Sequence, residues 1–435
     1  MSVVWDIDII DGPTDQVREI RISGLAPGNA RLSASLAHPD GSLWRSEATF
    51  SIAEDGLLDL NTAAPAAGDW RDAEPMAPIW ALRQVASPAE PALSDAIQLL
   101  RIQLQVEDAR GEIADATLVQ RFLASGVTRR DVQAEGLSGA LFIPPGDGPH
   151  PVAIVLSGSG GGAPEQRAAL LAAHGYIGFA LAYFRAPGRP DTISATPLEY
   201  FQQALDWSAR ELRPRAGFIA AVGHSRGGEL ALLLGATFPD RVSAVVGYVP
   251  SAVVHGTLRA GRPGEPRDAA AWTWRGRPLR NIWRNNPRAD WHAFDHPPGP
   301  GAPIRQAPAF IAADRDAASV AAARIPVERI AGPVLLISGT DDGFWPSTDY
   351  SERIAADLSA RRHDWPVEHV RNQGAGHAIG FPYVPTTAIA KVHPVAGIVI
   401  DGGGSPLANA RANRHSWSRM LTFLSSAQAA HEART

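Results

Sequence analysis

The sequence predicts an all-β sandwich followed by an α/β domain on a mostly parallel, doubly wound sheet. From about residue 5 to 125, short period-two runs alternate with clusters of Gly, Pro and Asp. From Gly136 onward, fully apolar runs alternate with helical patterns. The 435 residues suffice for two or three units at roughly 100–200 residues each.

In the first half, Val17-Arg18-Glu19-Ile20-Arg21-Ile22 alternates until Gly24-Leu25-Ala26-Pro27-Gly28 breaks it. Ala30-Arg31-Leu32-Ser33-Ala34-Ser35-Leu36 alternates again and stops at Pro39-Asp40-Gly41. Leu99-Leu100-Arg101-Ile102-Gln103-Leu104-Gln105-Val106 ends at Asp108-Ala109-Arg110-Gly111. Regular short strands between turn residues suggest a sandwich of roughly immunoglobulin size over residues 1–130. No cluster there proposes chemistry, so packing or substrate shaping is the expected role. The polar stretch from Gly126 to Gly136 reads as a connector.

The second domain is expected over residues 136–430. Leu141-Phe142-Ile143 leads into Pro144-Pro145-Gly146, and apolar runs follow at 152–156, 176–180, 218–222, 242–249 and 334–337. Continuous apolar runs suit parallel strands buried on both faces. Helical patterns at 165–174, 197–212 and 228–237 lie between them and supply the crossovers. Residues 256–310 break the rhythm with Pro, Gly, Arg and Trp, including Trp272, Trp274, Trp283 and Trp291. A long insertion of that aromatic content is expected to be an ordered lid. There is no internal repeat or low-complexity tract.

Composition excludes several functions. Hydrophobic residues are 45% and charged residues 20%, ordinary for a globular chain, and the net charge is −5. That balance argues against nucleic acid or an anionic membrane as the main partner. No run approaches 18 apolar residues, and the opening Met1-Ser2-Val3-Val4-Trp5-Asp6 has no signal-peptide pattern. The absence of cysteine excludes disulfides, thiolate metal sites and a cysteine nucleophile. A cytoplasmic protein without metal or other cofactor is expected; its oligomeric state is not legible.

The chemistry centres on Gly223-His224-Ser225-Arg226-Gly227, between an apolar strand and a helical pattern. Gly-x-Ser-x-Gly in a strand–turn–helix context holds a serine hydroxyl above the sheet, and its glycines relieve a crowded turn. Serine is weakly nucleophilic and needs a base oriented by an acid. The run at 334–337 leads into Ser338-Gly339-Thr340-Asp341-Asp342, giving two acid candidates, of which Asp342 is favoured. The base is expected late in the chain, and Gly374-Ala375-Gly376-His377 offers it in a mobile glycine context. Most of the 13 histidines, including His363, His369 and His415, are expected to be solvated or structural. His224, beside the serine on a tight turn, is expected to pack rather than react.

Acyl transfer also needs hydrogen-bond donors for the developing oxyanion. Ser157-Gly158-Ser159-Gly160-Gly161-Gly162, after the strand at 152–156, can present backbone N–H groups there. A phosphate-binding reading of this loop lacks the downstream ribose-binding acid and any Walker lysine. The N–H of Arg226 is the expected second donor, with Ser159 or Gly160 supplying the first.

From about Val17 to Leu424, the chain resembles the acyl-CoA thioesterase and bile acid-CoA:amino acid N-acyltransferase family. Gly24-Leu25-Ala26-Pro27, Glu74-Pro75-Met76 with Trp80, and Leu141-Phe142-Ile143-Pro144-Pro145-Gly146 carry the early resemblance. Gly158-Ser159-Gly160-Gly161-Gly162, Leu181-Ala182-Tyr183-Phe184 and Leu198-Glu199-Tyr200-Phe201 continue it. Ser225-Arg226-Gly227-Gly228-Glu229-Leu230-Ala231 is similar to the family's nucleophile helix, where lysine often replaces Arg226. Ile325-Pro326-Val327-Glu328-Arg329, then Asp341-Asp342 with Trp345 and Ser347, then Gly376-His377 with Ile379, Pro382, Tyr383 and Pro385, complete the set.

The resemblance implies an immunoglobulin-like N-terminal domain, an α/β-hydrolase C-terminal domain, and the second aspartate, Asp342, as acid. It also implies thioester hydrolysis, since serine members tend to hydrolyse while cysteine members tend to transfer the acyl group to an amino acid. The expected partner is a small-molecule acyl thioester or ester substrate, with an acyl-CoA thioester favoured. A carboxylesterase, an amino-acid N-acyltransferase and an inactive binding protein on the same frame are the alternatives. Arg275, Arg277, Arg280 and Arg284 could meet the phosphates of CoA or form a solvated basic face.

Overall fold

The computed structural model describes residues 2–87 and 97–434, which divide into two compact units. The sandwich range expected at 1–130 includes residues 1 and 88–96, which lie outside the described residues.

The first unit runs to Ser125 and includes Gly380–Ala388 and Ser405–Arg414. Its larger sheet centres on Gly28–Ala37, paired antiparallel with Leu43–Ile52 on one side and Leu100–Glu107 on the other. Leu32 faces Val106, Ala34 faces Leu104 and Leu36 faces Ile102 across the ladder, all of them buried. A one-residue slip would turn that whole set to the opposite face, so burial pins the register. Ile113–Arg121 extends the sheet beyond Leu100–Glu107, and a second, three-stranded sheet joins Val4–Ile7, Ile20–Ser23 and Leu58–Asp59. The unit is not made of strands alone, because a one-turn helix forms at Ala77–Trp80.

The second unit carries an eight-stranded sheet. Its order is Thr128–Val132, Ser138–Ile143, Ile177–Ala182, Val152–Leu156, Ile219–His224, Ala244–Tyr248, Val334–Gly339, Val367–Asn372. The first two pairings are antiparallel and the rest are parallel. Every residue of Val152–Leu156, Ile177–Ala182, Ala244–Tyr248 and Val334–Gly339 is buried, which explains why all but Ser338 are apolar or glycine. The stretch read as a connector instead contains the sheet's outermost strand, Thr128–Val132. Four of its five residues are exposed, and polar residues suit an edge that must not recruit another chain.

Two helices depart from the expected bounds. The one after the serine starts at Arg226, because the chain enters it directly from the turn. The pattern at 197–212 resolves into Leu198–Trp207 and a π-helical turn Ser208–Leu212, stopped by Arg213 at φ 45°. The insertion is ordered. Trp272–Trp274 pairs with Thr196–Pro197 and with Arg277–Pro278, and Trp283 stacks on Trp291 with ring centres 4.5 Å apart. Among the described residues no helix is long and apolar enough to cross a membrane.

Candidate active site

Ser225 sits between the strand Ile219–His224 and the helix Arg226–Thr237, at φ 58°, ψ −119°. A non-glycine residue with that backbone costs about 1–3 kcal/mol and persists only where its surroundings impose it. Its N–H donates to the carbonyl of Tyr248 at 2.8 Å. A Cβ on Gly223 would overlap the carbonyl oxygen of Gly227, and one on Gly227 that of Leu156. Only glycine fits at either position, so the motif's spacing is a steric requirement.

His377 follows the strand Val367–Asn372, and its Nε2 lies 2.8 Å from Ser225 Oγ. Its Nδ1 lies 2.9 Å from both carboxylate oxygens of Asp342. With Nδ1–H donating to the carboxylate, the Nε2 lone pair faces the hydroxyl. Asp342 Oδ1 also accepts from the N–H groups of Phe344 at 2.9 Å and Trp345 at 3.3 Å. All three side chains are buried. Asp341 points elsewhere: it pairs with Arg305 and accepts from the N–H of Gly404 at 2.9 Å. The structure thus brings together Ser225, Asp342 and His377 and leaves Asp341 outside the chain of hydrogen bonds.

The imidazole of His377 is held on several sides. Phe344 stacks on it at 4.3 Å between ring centres, and His224 and Trp345 meet it edge-on at 5.3 and 5.8 Å. His224 Nε2 donates to the His377 carbonyl at 3.0 Å, and burial keeps its ring well below the ordinary imidazole pKa. The segment Ile389–Gly404 supports both loops. The carbonyl of Gly402 accepts from the N–H groups of His377 at 2.8 Å and Gly343 at 3.0 Å. Sequence reasoning missed this brace, although the run Asp401-Gly402-Gly403-Gly404 marks a close backbone approach. His363 and His369 are structural, bonded to the Gly332 carbonyl and to Ser338, and His415 is exposed.

The glycine-rich loop passes directly beside the serine, since a Cβ on Gly158 would lie 3.8 Å from Ser225 Oγ. Tyr183 donates its hydroxyl to the Ser157 carbonyl at 2.8 Å, and Arg185 donates to the Gly160 carbonyl at 2.6 Å. Ser159 Oγ is 2.9 Å from His393 Nε2. His393 Nδ1 accepts from the N–H groups of Val395 at 3.3 Å and Ala396 at 3.2 Å, so Nε2 carries the proton and donates to Ser159. Burial, with Arg259 and Arg185 nearby, lowers His393 to about 4. Nothing in the local sequence marks His393.

Ser225, Ser159, Arg226 and His393 line a cavity of about 30 Å³ with Phe310, Phe344 and Trp345. Thr257, Leu258, Arg259, Phe294 and Gln306, all within the expected insertion, form the rest of its wall. Gly160 is not in the lining, nor are Arg275, Arg277, Arg280 and Arg284, which are exposed. A buried ion pair ties the helix after Ser225 to the same insertion. Arg226 Nη1 lies 2.9 Å from Glu229 Oε2, and its Nη2 donates to the Gly256 carbonyl at 2.8 Å. Glu229 Oε1 accepts from Trp272 Nε1 at 2.8 Å.

A mixed, mostly parallel sheet bearing Gly-x-Ser-x-Gly on a strand–turn–helix bend defines the α/β-hydrolase class. Residues 15–134 match the family described as acyl-CoA thioester hydrolase/BAAT N-terminal region. Residues 196–261 and 310–430 match BAAT / acyl-CoA thioester hydrolase C terminal. The chain belongs to this acyl-CoA thioester hydrolase/BAAT family. Acyl-coenzyme A thioesterase 6 of Mus musculus is 31% identical, over 94% of this chain and 93% of its own. Acyl-coenzyme A thioesterase 1 of Homo sapiens is 31% identical, over 96% of this chain and 95% of its own. Mitochondrial acyl-coenzyme A thioesterase 2 of Homo sapiens is 31% identical, over 96% of this chain and 83% of its own. The C-terminal match is interrupted at 262–309, within the insertion that walls the cavity.

Proposed function

We propose that this chain is a serine hydrolase that cleaves an acyl-CoA thioester to free acid and CoA through an acyl-serine. The observation that carries the reading is the 2.8 Å approach of Ser225 Oγ to His377 Nε2, with Asp342 on the opposite ring nitrogen. Oγ attacks the thioester carbonyl as its proton passes to Nε2, and Asp342 stabilises the imidazolium that forms. The N–H groups of Arg226 and Ser159 receive the oxyanion. Collapse expels the CoA sulfur with its electron pair, and the imidazolium returns a proton to it. Water, deprotonated by His377, then attacks the acyl-serine, and the proton goes back to Oγ as the acid leaves.

The insertion acts as a lid in this reading, since six of its residues, Phe310 included, wall the cavity. The N-terminal unit serves as an immunoglobulin-like sandwich, a reading supported by its antiparallel register and the family match. A cytoplasmic location is part of the proposal, and cell fractionation tests it. The function itself is tested by a panel of CoA thioesters and simple esters, with thiol and acid release both followed, with and without glycine. Equal thiol and acid release supports hydrolysis. An N-acyl product with glycine would make the protein a transferase, and turnover of simple esters alone would make it a carboxylesterase.

A further inference from the structure

Ser159 carries a hydrogen-bond donor that the folded chain leaves unused. Its half-buried side chain lines the cavity with Ser225. The only hydrogen bond of its Oγ among the described residues is the 2.9 Å contact with His393 Nε2. His393 is buried and commits its Nδ1 lone pair to the N–H groups of Val395 and Ala396. Nε2 is therefore the protonated nitrogen, and toward Ser159 it can only donate. Ser159 Oγ is the acceptor of that bond. Its own hydrogen is left to turn toward a second acceptor, and none is supplied among the described residues.

This tautomer excludes one role and favours another. An imidazole that already holds a proton on Nε2 cannot take one from Ser159, so the pair is not a second nucleophile and base. A hydroxyl that accepts from an N–H is instead a stronger donor, because each bond in such a chain polarises the next. What it meets is set by its place. The glycine-rich loop passes Ser225 so closely that a Cβ on Gly158 would lie 3.4 Å from Ser225 Cβ, and Ser159 is the next residue. The loop is held from several sides. Gly161 N–H donates to the Gly158 carbonyl at 3.2 Å, Arg185 donates to the Gly160 carbonyl, and a Cβ on Gly160 would lie 3.3 Å from Pro394 Cγ. His393 sits in the hairpin that joins Ala390–Val392 to Val399–Asp401, and its N–H donates to the Ile398 carbonyl at 2.8 Å. Imidazole, hydroxyl and loop are thus fixed before substrate arrives, which is the condition for stabilising charge that appears only in the transition state.

We propose that the Ser159 hydroxyl is a third donor to the oxyanion, beside the backbone N–H groups of Arg226 and Ser159, with His393 as its positioning residue. This deepens the acyl-serine reading above and rests on it. When Ser225 Oγ adds to the carbonyl carbon, the electron pair displaced onto the carbonyl oxygen is met by the Ser159 O–H. The proton of that hydroxyl stays on Oγ throughout. The contact strengthens only as the oxygen becomes negative, so it should leave binding of the CoA arm unchanged.

The test sets transition-state mimicry against ground-state binding in wild type, Ser159→Ala and Ser159→Thr. Three quantities are measured: kcat/KM for an acyl-CoA thioester, inhibition by a trifluoromethyl ketone thioether of CoA, and binding of the matching S-alkyl-CoA. The ketone adds to Ser225 and carries an oxyanion, whereas S-alkyl-CoA has no carbonyl. Ser159→Ala should lower kcat/KM and weaken the ketone alike, by about 10²- to 10³-fold, and move S-alkyl-CoA by less than about threefold. Ser159→Thr keeps a hydroxyl and should recover most of the loss. A change in kcat/KM below about threefold in Ser159→Ala overturns the inference. So does equal weakening of the ketone and S-alkyl-CoA, the mark of a distorted loop, or fluorophosphonate labelling of the wild-type protein at Ser159 in place of Ser225. Should Ser159→Ala not fold, Ser159→Cys, which keeps the shape but offers only a weak S–H donor, is judged by the same comparison. If the wild-type protein cleaves p-nitrophenyl esters but no CoA thioester, kcat/KM of the variants on those esters decides the role of Ser159, and the thioesterase reading falls alone. If neither class is cleaved, both fall.

Discussion

Arg226 and Glu229 form an ion pair at 2.9 Å on the first turn of the helix after Ser225, with both side chains buried. The same carboxylate accepts from Trp272, so this pair also anchors the insertion. Glu229→Ala leaves a buried guanidinium without its counter-charge. The expected cost is about 3–5 kcal/mol, read from urea unfolding midpoints. A loss under about 1 kcal/mol would mean that solvent reaches the pair.

The two neighbouring aspartates should behave very differently. Asp342 meets His377 Nδ1, while Asp341 meets Arg305 at a half-exposed position. Asp342→Asn should lower kcat by about 10⁴-fold, because an amide favours the wrong imidazole tautomer. Asp341→Asn should stay within about threefold, as expected of an exposed ion pair. Comparable losses in the two variants would remove Asp342 from the proposed triad.

His393 is expected to act as a positioning residue for the glycine-rich loop through Ser159 Oγ. His393→Phe removes the donor, and kcat should fall about 10- to 100-fold while KM moves much less. His393→Gln, whose amide can still donate, should recover part of the loss. A change confined to KM would assign His393 to substrate binding.

Acid should destabilise this fold through its buried histidines. Burial holds His224, His255 and His393 below the ordinary imidazole value, His393 at about 4. In the unfolded chain these rings protonate near pH 6.5, so below that pH the unfolded state binds more protons. Stability therefore falls as pH drops from 6.5 toward 4, and these groups add no slope above that range. His393 alone accounts for about 3 kcal/mol over the full window. Urea midpoints of wild type and His393→Phe between pH 7 and 5 check this. The variant should show the shallower decline, and parallel curves would contradict it.

The legible parts of this protein were those whose physics is local. Buried parallel strands announce themselves as apolar runs, and the bend at Ser225 requires glycines two residues to either side. The strand Thr128–Val132 was hidden because an exposed edge strand must be polar, so its composition imitates a linker. His393, Phe344 and Arg259 were illegible for another reason. Each meets the site through a contact between segments far apart in the chain, such as His393 with Ser159. No period or spacing encodes such a meeting, whereas Asp342 stood out at the end of an apolar run and His377 by its late position in a glycine-bearing stretch.

The central claim is that the hydroxyl of Ser225 is the group that attacks the substrate. Its most direct test is kcat/KM for an acyl-CoA thioester with Ser225→Ala, the variant's fold verified by circular dichroism. The expected result is a loss of about 10⁵- to 10⁶-fold. Turnover within tenfold of the wild-type protein would contradict the account.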